Sequence, residues 1–254
     1  ITRFEEKPKD PELQKALQLP KTWYERLNIS SDKDLWLASM GIYIFNRKTI
    51  LELLDNAQTD FGKHIIPGAI QTHKLSSYVF QGYWEDVGTI KAFFEANLDL
   101  TSLVPKFNFF DMQSPVFTRP RFLPASKVNG GHIAQSLLSD GCIVQGARLK
   151  DCMLGIRSIV GADADLEEVV MMGGDFYESQ DSIEQSEVQG CPRIGIGSGT
   201  TVRHAIIDKN ARIGKNCQIT PDGKPQDMDH ELYHMRDGIV IIPKNAIVPD
   251  NTVI

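Results

Sequence analysis

Ile159-Val160-Gly161-Ala162-Asp163-Ala164 is the stretch that decides the fold. Two branched aliphatics are followed by glycine, alanine and aspartate, and the pattern returns at Ile213-Gly214-Lys215-Asn216-Cys217. Around it Leu154, Val160 and Leu166, then Ile196 and Val202, then Ile247 and Val253 recur at six-residue spacing. That period is the hexapeptide signature of a β-helix, in which each side of a coil is one short strand and a turn. Inward aliphatics then stack from coil to coil into a continuous core. The register is imperfect over 133–149. Two polar stretches, Gly173 to Arg193 and Thr220 to Gly238, break it and are expected as loops expelled from the stack. An ordinary all-β sandwich is the competing reading.

Upstream, Val104 to Arg121 is rich in Phe and Pro, with Pro105, Pro115 and Pro120, and reads as an extended connector. Its Phe107 to Phe110 run is a candidate for burial between domains. The organisation expected is an α/β part over 1–103, a connector over 104–127 and the β-helix over 128–254.

The α/β part turns on Gly82-Tyr83-Trp84-Glu85-Asp86-Val87-Gly88-Thr89. Leu75 to Phe80 before it reads as a strand. Ile90, Phe93, Phe94, Asn97 and Leu98 after it have helical spacing, with a start at Thr89. Ligands bind beyond strand ends in open α/β sheets; the plainer reading is a charged loop in which Asp86 caps the helix. Leu35 to Phe45 reads as a strong strand whose Ser39 and Gly41 let a ligand approach, or as a bulge with a satisfied serine. Asn46 is the expected N-cap of a helix with Ile50, Leu51, Leu53 and Leu54 apolar. Asp60-Phe61-Gly62-Lys63-His64 leads into another, with Ile65, Ile66, Ala69 and Ile70 apolar. Residues 9–33 read as a loop with a short helix around Trp23, Tyr24 and Leu27. Ile1 to Phe4 reads as a strand ending in Glu5-Glu6-Lys7-Pro8. Pro8 excludes Lys7 from the right-handed helical region, so Lys7 is expected extended. Its ammonium is either a point charge for a phosphate or simply solvated. The chain opens without Met, as a strand under way, and is expected to be a fragment.

Composition narrows the function. The net charge of −6 argues against nucleic-acid binding but leaves room for a local basic cluster that holds a small anion. Arg119, Arg121 and Lys127, then Lys209, Lys215 and Lys244, are the cations that such a pocket would gather; taken singly, each is a solvated turn residue. Cys142, Cys152, Cys191 and Cys217 form no CxxC pair, so no zinc motif is expected and a reducing compartment is the simplest home. No apolar run approaches the roughly 18 residues of a membrane span, and no signal peptide is visible. His64 and His73 have no serine or cysteine set near them as a nucleophile.

The ordered set Phe4-Glu5-Glu6-Lys7-Pro8, Ala38-Ser39-Met40-Gly41-Ile42-Tyr43 and Tyr83-Trp84-Glu85-Asp86-Val87-Gly88-Thr89, followed by a β-helix, resembles the glucose-1-phosphate adenylyltransferase (ADP-glucose pyrophosphorylase) family. Pro120-Arg121-Phe122-Leu123-Pro124-Ala125-Ser126-Lys127, His204-Ala205-Ile206-Ile207-Asp208-Lys209-Asn210 and Asp237-Gly238-Ile239-Val240 look like its cyanobacterial and plant branch. The resemblance implies part of a Rossmann-like nucleotidyltransferase domain followed by a left-handed parallel β-helix. It implies that Lys7 binds the phosphate of glucose 1-phosphate, that Glu6 and Ser39 contact the sugar, and that Asp86 lies near the reacting phosphates with Mg²⁺. Lys7 and Asp86 are its catalytic candidates. The sugar phosphate oxygen would attack the α-phosphorus of ATP in line and pyrophosphate would leave, with positioning and charge neutralisation supplying most of the rate. The resemblance further implies an anionic effector such as 3-phosphoglycerate or phosphate at Arg121, Lys209 and Lys244, a homo- or heterotetramer, and a location in the cytoplasm or plastid stroma. The family's glycine-rich nucleotide loop lies upstream of Glu6-Lys7-Pro8, so this stretch alone is expected to be inactive.

Three alternatives remain open. One is a sugar-1-phosphate nucleotidyltransferase with another donor. A second is a hexapeptide acyltransferase using His132, His204, His230 or His234, although the sequence offers His204 no orienting partner. The third is a non-catalytic regulatory subunit.

Overall fold

Leu149, Leu166 and Val202 stand in register on three adjacent parallel strands, each fully buried. That stacking is the principle of the second half of the chain. The computed structural model describes residues 1–254, which separate into two units, Ile1–Gly82 and Tyr83–Ile254.

The first unit is built from short helices. α1, Pro11–Ala16, is capped by Asp10, whose carboxylate accepts from the Glu12 amide at 2.9 Å. α2, Thr22–Arg26, buries Tyr24, whose hydroxyl donates to the Lys33 carbonyl at 3.0 Å. The sequence predicts one short helix over 9–33; there are two. α3, Arg47–Leu53, has Asn46 at its N-cap position, but that side chain makes no cap bond and the helix buries no residue. α4, Ile66–Thr72, follows a π-helical turn at Phe61–Ile65. Asp60 caps the turn by accepting from the Lys63 amide at 2.8 Å, and Ile65, Ile66 and Ala69 are the buried face.

The strands expected at Ile1–Phe4, Leu35–Phe45 and Leu75–Phe80 do not form. One isolated antiparallel bridge, Gln18 to Trp36, touches them. A strand is half of a pairing: its backbone donors and acceptors need a neighbour, and these segments find no ladder within the chain. Trp36, Ile42, Ile44 and Tyr78 accordingly remain exposed.

The second unit opens with α5, Ile90–Asp99, capped as expected by Thr89, whose hydroxyl accepts from the Ala92 amide at 3.1 Å. Beyond the connector lies the coil. Six parallel strands make one sheet: Lys127–Asn129, Ile143–Gln145, Ile159–Val160, Gly195–Ile196, Arg212–Ile213 and Ile247–Val248. A second sheet contains three seven-residue strands, Arg148–Leu154, Asp165–Met171 and Thr201–Ile207, each turning a corner midway. The corner residues Asp151, Glu168 and His204 have φ of 51°, 53° and 47° and stack one above another. Lys150 pairs with Glu167, so one uninterrupted coil takes 17 residues, about three hexapeptides.

Leu154, Val160, Leu166, Ile196 and Val202 of the six-residue period belong to one core. The last pair of that row does not turn inward: Ile247 and Val253 are exposed, and Val248 and Ile254, one residue on, take the core positions. Cys142, Cys152 and Cys217 fill it as small hydrophobes. Two fully buried hydroxyls of the coil are satisfied, Ser158 donating to the Gly155 carbonyl at 2.7 Å and Thr200 to the Gly214 carbonyl at 2.8 Å.

The two breaks in the repeat are more ordered than expected. The first carries α6, Gln180–Val188, capped by Ser179 and buried at Ile183. The second folds into an antiparallel pair, Met228–Asp229 with His234–Arg236, that extends the second sheet, and its Tyr233 and Met235 enter the main core. α5 packs by Phe94 on Val170, Ile206 and Ile239 of the coil. The packing boundary therefore falls before Tyr83, whereas the motif-based division lies at 103, because residues 83–103 follow α5 onto the coil.

Candidate functional site

In the first unit, Glu6 and Ser39 open on one hollow of about 710 Å³ that Asp60, Tyr43, Phe61 and Gly62 also line. Ser39 is held by two contacts: its Oγ accepts from the Gly41 amide at 3.2 Å and lies 3.0 Å from the Tyr43 hydroxyl. Gly41 has φ 71°, so the small residues of this segment make a turn rather than a bulge in a strand. Tyr43 and Phe61 are nearly parallel, with centroids 6.0 Å apart. The wall thus sets aromatic faces beside carboxylates and a hydroxyl, a combination suited to a sugar, which has apolar C–H faces and a polar rim. A Cβ at Gly62 would collide with Glu6 Oε2 and push that carboxylate aside.

Lys7 flanks this group. Its ammonium lies 3.8 Å from Glu6 Oε1, and its side chain is 88% exposed. Lys7 is not extended as the sequence predicts: its φ is 49°. Pro8 bars the right-handed helical region for its predecessor, and here Lys7 leaves it for the left-handed one, a sparsely populated conformation for a side chain of this length.

Asp86 belongs to the second unit and is exposed. Thr89, and not Asp86, caps α5, so the capping reading of Asp86 does not hold. No three His, Cys, Asp or Glu side chains converge as a ready cation cage. Mg²⁺ ordinarily takes one or two carboxylates and completes its shell with water and substrate phosphates. Asp86 fits as one such carboxylate.

The basic residues of the second unit do gather. Arg119, Arg121, Arg157 and Lys209 line a cleft of about 620 Å³ together with Asp175. Lys209 Nζ meets Asp175 Oδ1 at 2.8 Å, and Lys244 Nζ stands 3.6 Å from Oδ2. Arg121 donates to the Arg119 carbonyl at 2.7 Å. Arg157 donates to the Gly174 carbonyl at 3.2 Å and sits 5.8 Å from the Tyr177 ring centroid. Hydrogen bonds from Lys209 and Asn210 hold the Asp175 carboxyl down at about 2. The strap that carries Asp175 is tied back at Glu178, which accepts from the Ile194 amide at 2.8 Å. Arg212 Nη1 stands 2.7 Å from Glu178 Oε1, an ion pair although that oxygen accepts no hydrogen bond.

Arg157 and Asp175 escaped the sequence reading. Arg157 occupies a corner position with φ 58°, and Asp175 follows Gly173-Gly174 at the root of the strap. That glycine pair is the signal that could have marked a turn back toward the coil. Lys127, Lys215 and Lys244 lie outside the cleft lining; of these, Lys244 is tied to the cleft through Asp175.

Of the candidate histidines of the coil, His204 and His234 have carboxylate partners that the sequence did not supply. His204 Nδ1 lies 2.6 Å from Glu168 Oε2, and its ring meets Phe94 edge-on with centroids 4.7 Å apart. His234 Nδ1 lies 2.8 Å from Asp229 Oδ1, which also accepts from Arg236 at 2.6 Å. These are structural pairings on the coil surface; the His204 ring is occupied by the α5 contact.

The family model described as nucleotidyl transferase matches residues 1–102, and that described as the GLGC left-handed parallel β-helix domain matches residues 121–253. The chain is 40% identical over 259 residues to glucose-1-phosphate adenylyltransferase large subunit 1, chloroplastic/amyloplastic, of Zea mays, an alignment covering 100% of this chain and 50% of the maize protein. The chain thus spans about half the length of the curated relative it matches. No helix is long and apolar enough to cross a membrane.

Proposed function

We infer the function from one premise: the chain belongs to the family of the GLGC left-handed parallel β-helix domain, with a nucleotidyl transferase segment before the coil. The polypeptide that carries this sequence is a glucose-1-phosphate adenylyltransferase, which joins ATP and α-D-glucose 1-phosphate into ADP-glucose and pyrophosphate for starch or glycogen synthesis. The observation that carries this reading is the 40% identity along the whole chain to a maize protein of that name. The shared hollow of Glu6 and Ser39 supports it independently.

In this reading Glu6 and Ser39 orient the sugar through its hydroxyls, and the Lys7 ammonium meets its phosphate. Asp86 is the residue that would hold Mg²⁺, which would supply charge neutralisation at the reacting centre. The chain's own residues position and neutralise; the attacking oxygen is the sugar phosphate's. Arg121, Lys209 and Lys244 take an anionic effector, 3-phosphoglycerate or inorganic phosphate, by charge-assisted hydrogen bonds. The protein works as a homo- or heterotetramer in the cytoplasm or plastid stroma.

The test is pyrophosphate release by the full-length polypeptide with glucose 1-phosphate and ATP, UTP, GTP or dTTP. Turnover with ATP is expected, and Lys7→Ala should weaken use of glucose 1-phosphate by about 10²-fold, the cost of losing one charge-assisted phosphate contact. A preference for another nucleotide would replace the donor; release with none of them would sink the enzyme reading. Unchanged activator sensitivity in Lys244→Ala would remove Lys244 from the effector site.

A further inference from the structure

We propose that Asp175 is a built-in competitor for the anion cleft of the coil: its carboxylate occupies the lysines until a phosphorylated acid or inorganic phosphate displaces it. The proposal rests on the reading of this cleft as an effector site and adds the device that sets its threshold.

The geometry is that of a ligand mimic. The two carboxylate oxygens of Asp175 face two ammonium groups, Lys209 at 2.8 Å and Lys244 at 3.6 Å. A phosphate bridging the same lysines would present two of its oxygens in the same way. Asp175 is also the one acid among the residues lining a cleft that otherwise carries Arg119, Arg121, Arg157 and Lys209.

The anchoring of Asp175 favours exchange. Asn210, 8% exposed, accepts from the Asp175 amide at 2.8 Å and donates to its Oδ2 at 3.1 Å. Asn210 is itself placed by donating to Asn245 Oδ1 at 3.2 Å. The Asp175 backbone is therefore pinned, whereas its side chain, 40% exposed, can turn about χ1 into solvent and free both lysines. The carboxyl, held at about 2, is ionised throughout the working pH range, so protonation cannot clear the cleft and a competing anion must.

A selectivity follows. A monocarboxylate replaces one carboxylate by another and gains nothing at the lysines. A dianionic phosphate keeps both lysine contacts and brings further charge to the arginines. The coil should therefore discriminate phosphate from acetate.

The experiment is titration calorimetry of the full-length protein with inorganic phosphate, 3-phosphoglycerate and acetate. It compares the parent with Asp175→Asn, which preserves shape and the Asn210 contact, and with Asp175→Ser, should the amide disturb folding. Phosphate is expected to bind about three- to tenfold more tightly to the variants, the scale of an exposed ion pair together with a removed like charge. Lys209→Ala should abolish binding in every background. Equal or weaker phosphate binding in both Asp175 variants would overturn the proposal, because Asp175 would then merely hold the lysines in place. Tighter binding that survives Lys209→Ala would overturn it too, as the anion would sit elsewhere. Absence of saturable binding in the parent and in both variants would remove the effector reading together with the proposal.

Discussion

His204 Nδ1 lies 2.6 Å from Glu168 Oε2, one coil away on the same corner column, and its ring carries Phe94 of α5 edge-on. The corner thus anchors the helix whose cap, Thr89, lies three residues beyond Asp86. Phe94 is 2% exposed. Phe94→Ala should cost about 3–5 kcal/mol, the usual range for emptying a buried aromatic site, and loosen α5 from the coil. Urea unfolding followed by a probe on α5 measures it. A loss below about 1 kcal/mol would show that α5 does not depend on this contact.

Leu166 is fully buried between Leu149 and Val202. Leu166→Ala should cost about 2–5 kcal/mol. Because each coil touches only its neighbours, hydrogen exchange should quicken most in the strands Arg148–Leu154 and Thr201–Ile207. Equal quickening along the whole coil would contradict nearest-neighbour stacking.

A Cβ at Gly62 would collide with the Glu6 carboxylate. In the full-length polypeptide, Gly62→Ala should raise the KM for glucose 1-phosphate about tenfold, the ~1.4 kcal/mol of one misplaced polar contact, with kcat nearly unchanged. Adding Glu6→Asp, which withdraws the carboxylate by one methylene, should recover part of the loss. A double variant worse than either single one would end this account of Gly62.

Cys142, Cys152 and Cys217 are buried, and burial pushes the Cys152 thiol up to about 11. Cys191 is the accessible one. A thiol reagent should label Cys191 first and the other three only as the coil unfolds. The folded thiol of Cys152 keeps its proton above the ordinary value of 9.0, so its contribution to stability is full below about 9 and is lost as pH rises through about 11. Rapid labelling of all four at neutral pH would contradict the packing.

The Asp175 carboxyl lies at about 2 instead of 3.8, chiefly because Lys209 hydrogen-bonds it. What the ionised pair contributes is present above about 3.8 and is lost as pH falls through about 2. Carbon NMR of that carboxyl should show a midpoint near 2, returning toward 3.8 in Lys209→Ala. A midpoint at the ordinary value in the parent would mean that the lysine contact does not persist in solution.

Some features were legible because their cause is local. The six-residue row of Leu154, Val160 and Leu166 could be read directly, since a narrow coil interior admits aliphatics only at a fixed step. The start of α5 could be read because Thr89 caps it within three residues. The expected strands in the first unit failed for the opposite reason: their hydrophobic alternation is local, but strand pairing requires a neighbour. Lys7 shows the same limit at one residue, since Pro8 forbids one backbone region without choosing between the others. The expelled loops were located correctly and described too simply, because α6 and the hairpin at Met228–Arg236 depend on the coil they lie against.

The sequence by itself determined the coil, its period, its branched core and the order of motifs along the chain, because each depends on residues a few positions apart. Only the tertiary structure decided that Asp175 joins Lys209 and Lys244, 34 and 69 residues away in the chain, and that Glu168 faces His204. Those meetings depend on how many residues each coil takes and how long each strap is, and such lengths become distances only once the coils are stacked.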